Sequence, residues 1–248
     1  MPYETLLYEK EGGVAKITIN RPQVMNALSL AVLQELKAAL REAEDDDDVG
    51  VVVLTGAGRA FSAGVDLKAL KDQKFDRKQL FTIATDVIDI IQNIPKVVIA
   101  MVNGYCLTGA LELVLGCDLI IASEEARFGD THARWGLRPR WGGSQRLPQA
   151  IGIRKAKELS FTAEMITGRK AERIGLANMA VPAEALEEAV LELARKILAN
   201  SRGSIAAYKY LFHCGMKGTL EDGLQLELES EFEIGDSRER MEKFGKKE

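Results

Sequence analysis

The chain has 248 residues, 46% of them hydrophobic and 28% charged, which suits one large domain, or a domain with an appendage, that folds without disulfides. Its formal net charge is −4, and with no basic stripe interleaved with aromatics it is not expected to bind nucleic acid. No apolar run reaches the roughly 18 residues of a bilayer span, so no membrane partner is expected either.

Residues 14–20 alternate as a strand that Asn20-Arg21-Pro22 breaks. Residues 29–43 carry Leu30, Leu33, Leu36, Leu40 and Ala43 at helical spacing, and the acidic run 44–48 reads as a solvated loop. Residues 51–54 fit a buried strand. Residues 80–94 are amphipathic and helical up to Pro95. Two more strands are expected over 96–102 and 119–122. Residues 127–146 read as an irregular stretch rich in Arg, Trp and Gly. Beyond it the pattern turns helical, over 155–162, 169–174, 183–200, 204–213 and 219–244. Strands alternating with helices over the first 150 residues, then helices almost alone, describe an α/β core with a helical C-terminal part.

The N-terminal residues Met1-Pro-Tyr-Glu-Thr5 lack a basic segment followed by an apolar one, so export is not expected. Cys106, Cys117 and Cys214 have no metal-ligand spacing. They read as reduced thiols of a cytoplasmic protein with no metal site.

Gly56-Ala-Gly-Arg-Ala-Phe61 follows a strand, but Phe61 occupies the third glycine position of a dinucleotide fingerprint, which rules that reading out. The next residues, Ala60 to Lys68, are more informative. Small side chains at 60 and 62–64 let backbone approach a ligand, and the turn at Ala63-Gly64 can leave the Val65 N–H free. A second small-residue turn, 103–109, leads into a helix whose first amide is that of Gly109. Amides at a helix start are unpaired and favour negative charge. Two such donors facing one point would form an oxyanion hole.

Glu112 lies three residues beyond Gly109, on the same helix face. It sits in the apolar run 107–121 with no cation at i±3 or i±4. Such a carboxylate pays desolvation and is a candidate for proton transfer. The alternative is a buried Glu satisfied by a distant Arg or by backbone.

The order and spacing of these blocks, from Asn20-Arg-Pro and Asn26-Ala-Leu28 through 58–68, 102–118, Phe128-Gly129, Gly142-Gly-Ser-Gln-Arg-Leu147 and Gly175-Leu176, resemble the enoyl-CoA hydratase/isomerase (crotonase) superfamily. The resemblance implies a spiral of strand–strand–helix units over residues 1–195. It also implies a helical C-terminal region, 196–248, that assembles trimers or dimers of trimers. Val65 and Gly109 would polarise an acyl thioester carbonyl. Ala27, Ala63, Val65, Asp66, Leu67 and Lys68 would line the coenzyme A groove. Coenzyme A would be part of the substrate, with no separate cofactor. A lysine often follows Asn-Arg-Pro in the family; here Gln23 stands there, so phosphate contacts would come from elsewhere.

Glu112 matches the first of the two catalytic glutamates of a hydratase. The second position is His132, the main departure from the family pattern. His132 could serve as the second acid or base, or only hydrogen-bond in the pocket wall with Asp130. Arg134, Arg138, Arg140 and Arg146, with Trp135 and Trp141, read as a subunit surface or a salt-bridge set; one of these arginines could instead select a distal carboxylate. The expected activity is hydration of a 2-enoyl-CoA. The alternatives are double-bond isomerisation, another crotonase reaction such as decarboxylation or thioester hydrolysis, or non-catalytic acyl-CoA binding.

Overall fold

The computed structural model describes residues 3–66 and 76–244; Leu67 and Lys68, expected in the coenzyme A groove, lie outside the described residues. The chain opens with a hairpin, β1 (Leu6–Glu11) and β2 (Val14–Ile19), paired antiparallel. Gly12 and Gly13 turn it with φ of 56° and 83°, the left-handed pair that a two-residue hairpin loop requires.

β3 (Val51–Gly56), β5 (Val97–Val102), β7 (Leu119–Ser123) and β10 (Met179–Val181) continue the sheet from β2, all in parallel. β3 and β5 are buried on both faces. Val52, Leu54, Val98, Ala100 and Val102 enter one core, while Val51, Val53, Val97, Ile99 and Met101 enter the other. Covered parallel strands read as unbroken apolar runs for this reason. The first core is closed by α1 (Leu30–Asp45), capped by the Ser29 hydroxyl, and α2 (Arg77–Asn93), capped by the Asp76 carboxylate. The second is closed by α7 (Leu186–Leu198), which brings in Leu186, Val190 and Ala194.

A second sheet is built of very short strands, β4 (Ala60–Ser62), β6 (Tyr105–Leu107), β8 (Arg127–Gly129) and β9 (Ile166–Thr167). Its order is β4-β6-β8-β9, with β4, β6 and β8 parallel. β3, β5 and β7 of the first sheet are therefore each followed by a short strand of the second. The neighbours β3, β5 and β7 in one sheet match β4, β6 and β8 in the other. Stacked turns of a spiral produce this double order, as the resemblance implied. Gly56 makes the first passage between sheets possible: a Cβ there would lie 2.2 Å from the Phe61 carbonyl oxygen and 2.3 Å from that of Ala60.

Two sequence expectations are corrected. The stretch 127–146 is not irregular throughout, since it holds β8, a 3₁₀ turn at His132–Trp135 and the start of α4 (Gly143–Ile151). The helix expected over 219–244 is two, α9 (Leu220–Glu229) and α10 (Ser237–Lys243). Between α4 and α9 lie α5 (Ile153–Thr162), α6 (Gly168–Arg173) and α8 (Arg202–Gly215). α8 is fastened to the core by Lys209, whose ammonium donates to the Ile91 and Lys96 carbonyls and to Asp118 at 2.7–2.8 Å.

Candidate active site

β4, β6 and β8 run parallel and side by side, so their carboxyl ends share one rim. β4 leads to Ala63, Gly64 and Val65. β6 leads to Thr108, Gly109 and α3 (Gly109–Val114), which carries Glu112. β8 leads to Asp130 and His132. Residues from all three exits, Ala63, Val65, Gly109, Glu112 and His132, line one cavity of about 560 Å³. Carboxyl ends of adjacent parallel strands are a common place for a ligand crevice.

The first exit is fixed by a parallel bridge. Leu28 N–H donates to the Gly64 carbonyl at 2.8 Å, and Asp66 N–H donates to the Leu28 carbonyl at 3.2 Å. Both bonds flank Val65, so its own N–H is turned away from Leu28. Ala27 and Asp66 adjoin the Leu28–Val65 bridge and are not among the residues that line the cavity. Asn26, buried completely, holds the Ala27 loop in place: its amide donates to the Ala57 and Ala60 carbonyls at 2.9 and 2.7 Å. The second exit is strained. Thr108 has φ 49° and ψ −113°, costly for a β-branched residue, and its conformation starts α3 with the Gly109 amide unpaired. Among the described residues, neither Val65 N–H nor Gly109 N–H donates to a protein acceptor.

The two exits touch. A Cβ on Gly64, whose φ is 88°, would lie 2.2 Å from Thr108 Oγ1, 2.6 Å from the Leu107 carbonyl oxygen and 3.2 Å from Gly109 N. Only glycine permits that approach. Gly109 is likewise closed in, with the Trp141 ring 2.5 Å from the place a Cβ would take.

Glu112 is 4% exposed. Of the two bland explanations for a buried carboxylate, an arginine or backbone, the structure has the second. Trp141 N–H and Gly143 N–H donate to Oε1 at 2.8 and 2.9 Å. Those donors come from the start of α4, where amides are unpaired and the dipole favours an anion. Oε1 is thereby occupied and Oε2 is left toward His132, whose Nε2 is 3.5 Å away.

His132 is bound on its other side. Nδ1 lies 2.6 Å from Asp130 Oδ1, and the Ser160 hydroxyl donates to Asp130 Oδ2 at 2.6 Å. Burial pushes the Asp130 carboxyl up, but the bonds from His132 and Ser160 outweigh it and hold Asp130 below the ordinary Asp value. An ionised carboxylate only accepts, so Nδ1 carries the proton. His132 therefore bonds Asp130, the hydrogen bond that the wall reading expects, and its other nitrogen faces Glu112 in the cavity. Ser160 lies thirty positions from Asp130 on α5, with no local sequence signal.

The arginine cluster is not a salt-bridge set among the described residues: Arg134 and Arg146 donate to the Ala163 and Trp141 carbonyls at 3.0 and 2.8 Å. Arg138 and Arg140 line the cavity, and the Arg140 guanidinium sits 4.9 Å from the centre of the Phe81 ring. Among the described residues no group of three His, Cys, Asp or Glu side chains is placed to hold a metal ion, and no helix is long and apolar enough to cross a membrane.

A cavity with two unpaired amides, a clamped carboxylate and an oriented imidazole can hold a developing oxyanion and move a proton beside it. The family model described as enoyl-CoA hydratase/isomerase matches residues 9–247. The chain is 40% identical to a probable peroxisomal enoyl-CoA hydratase of Arabidopsis thaliana, over 89% of this chain and 83% of that one. It is 36% identical to the short-chain-enoyl-CoA hydratase of Clostridium acetobutylicum, over 98% and 95%. A crystal structure of enoyl-CoA hydratase from Bacillus anthracis superposes with a TM-score of 0.91 at 34% identity, covering 98% of this chain and 96% of that one. The chain thus belongs to the enoyl-CoA hydratase/isomerase family.

Proposed function

We propose that this protein is an enzyme that adds water to a 2-enoyl-CoA to give the 3-hydroxyacyl-CoA. The observation that carries the reading is Glu112: a buried carboxylate clamped through one oxygen, on the same short helix as the unpaired Gly109 amide and in one cavity with the Val65 amide. In this reading Val65 and Gly109 hold the thioester oxygen as it gains charge, worth several kcal/mol in a site closed to water. Glu112 handles the proton of the attacking water, and His132 occupies the place of the second acid–base group. The pantetheine arm runs along the segment from Ala63 to Asp66, beside Ala27. Isomerases of the family work with a carboxylate at the position held here by His132, which disfavours double-bond migration.

The test is hydration of crotonyl-CoA by the wild type and by Glu112→Gln. The amide still accepts from Trp141 and Gly143, so the variant folds. Its turnover is expected to fall about 10²- to 10⁴-fold, the range a positioned acid–base group contributes. Near wild-type turnover in Glu112→Gln, or faster conversion of a 3-enoyl-CoA than hydration of the 2-enoyl-CoA, would sink the reading.

The same reading includes self-association through residues 196–248. It rests on a row of exposed apolar side chains, Tyr208, Phe212 and Met216 on and just after α8, and Leu220, Leu224 and Leu228 on α9. A run of this size is uncommon on a monomer.

A further inference from the structure

Asp130 and Ser160 are not among the residues that line the cavity, yet both carboxylate oxygens of Asp130 are committed, Oδ1 to His132 and Oδ2 to Ser160 at 2.6 Å each. Ser160 is delivered from α5, so the chain Ser160–Asp130–His132–Glu112 joins the rim of the second sheet to a separate helix. Its members are poorly accessible: the His132, Asp130 and Glu112 side chains are 12%, 13% and 4% exposed. Among the described residues, Glu112 from α3 and Asp130 after β8 lie against His132, and Arg138 and Arg140 line the same cavity. Arg134, on the same 3₁₀ turn, directs its guanidinium to the Ala163 carbonyl.

We infer that Asp130, braced by Ser160, is a positioning residue that fixes His132 with its proton on Nδ1 and Nε2 toward the substrate, so that hydration runs on a carboxylate–imidazole pair instead of two glutamates. The inference rests on the hydratase reading above. The Trp141 and Gly143 amides hold Oε1 and leave Oε2 on the His132 side, while Asp130 Oδ1 holds the Nδ1 edge of the ring. Water oxygen bonds to Cβ as a water proton passes to Glu112 Oε2. The electron pair of the double bond moves to Cα and the thioester oxygen, and imidazolium Nε2–H supplies the proton to Cα. Glu112 then returns its proton to Nε2 across the 3.5 Å gap. One water has been added, and both groups are back in their starting states.

The chain has only two histidines, His132 and His213, so nitrogen-15 imidazole spectra can be assigned with one His213→Gln control. In the wild type the neutral His132 ring is expected as the Nδ1–H tautomer. In Asp130→Asn that preference is lost and kcat for crotonyl-CoA falls about a hundredfold with KM little changed. Ser160→Ala moves the same readouts in the same direction by about threefold in kcat. A merely structural role would lower the melting temperature without moving the tautomer. The inference is overturned if the wild-type ring is Nε2–H, or if Asp130→Asn keeps the wild-type tautomer and kcat. A wild type that shows the expected tautomer but no hydration counts against the hydratase reading while supporting the orienting role of Asp130.

Discussion

Gly143 shows how closely single atoms define this site. Its N–H holds Glu112 Oε1, and a Cβ added to it would lie 2.9 Å from Glu112 Cγ and 3.1 Å from Oε1. As the first residue of α4 it has an ordinary helical backbone, which alanine adopts readily. Gly143→Ala is therefore expected to leave stability within about 1 kcal/mol of wild type while pushing the carboxylate aside. A displacement of that kind costs about a hundredfold in rate. Thermal melts together with crotonyl-CoA turnover check both halves. A variant that melts normally and turns over normally would show that the placement of Glu112 is not critical.

At the scale of elements, the hairpin and α1 are tied by Glu35. Its carboxylate accepts from Thr5 N–H, the Thr5 hydroxyl and Glu4 N–H at 2.7–3.0 Å. Burial pushes this carboxyl up, but those donors outweigh it and hold it below its ordinary value of 4.5. A carboxylate lowered in the folded state stabilises the fold above its unfolded value, and that contribution is lost as pH falls through the folded one. Urea midpoints at pH 7, 5 and 3, at fixed protein concentration, should show Glu35→Gln weaker than wild type at pH 7 and the two converging at pH 3. A constant gap would refute the linkage. The same scale explains what the sequence could and could not disclose. β3, β5 and β7 were legible because strands covered on both faces become β-branched runs, and α1 and α2 because their buried faces repeat at helical spacing. The second sheet was not legible: strands of two or three residues hold less than one pattern repeat, and their pairing is set by stacking in the spiral. The hairpin is legible too, since Gly12-Gly13 is the glycine pair that a two-residue hairpin turn calls for. At the site, Glu112 stood out by its apolar surroundings. The partners that orient Glu112 and His132, namely Trp141 N–H, Gly143 N–H and Ser160, come from distant elements and leave no local trace.

At the scale of the whole molecule, the C-terminal helices present an energetic problem. Tyr208, Phe212, Met216, Leu220, Leu224 and Leu228 recur every four residues and are 58–81% exposed. Covering side chains of this size yields about 1.5–3 kcal/mol each, so a chain displaying them has a strong drive to associate. Lys209 points the other way on α8, into the core, and holds the helix with its apolar face outward. Removing the apolar groups should thus separate assembly from folding. In Phe212→Asp/Leu224→Asp the buried side of α8 and its Lys209 bonds are untouched. The wild type is expected to sediment as three chains or a multiple of three. The double variant is expected to sediment as one chain that still unfolds cooperatively in urea, with an m-value per chain lower than that of the assembled wild type by the share of the surface that assembly covers. A wild type that sediments as a single chain at micromolar concentration would refute the assembly role of this face. A double variant that stays assembled would move that role to another surface.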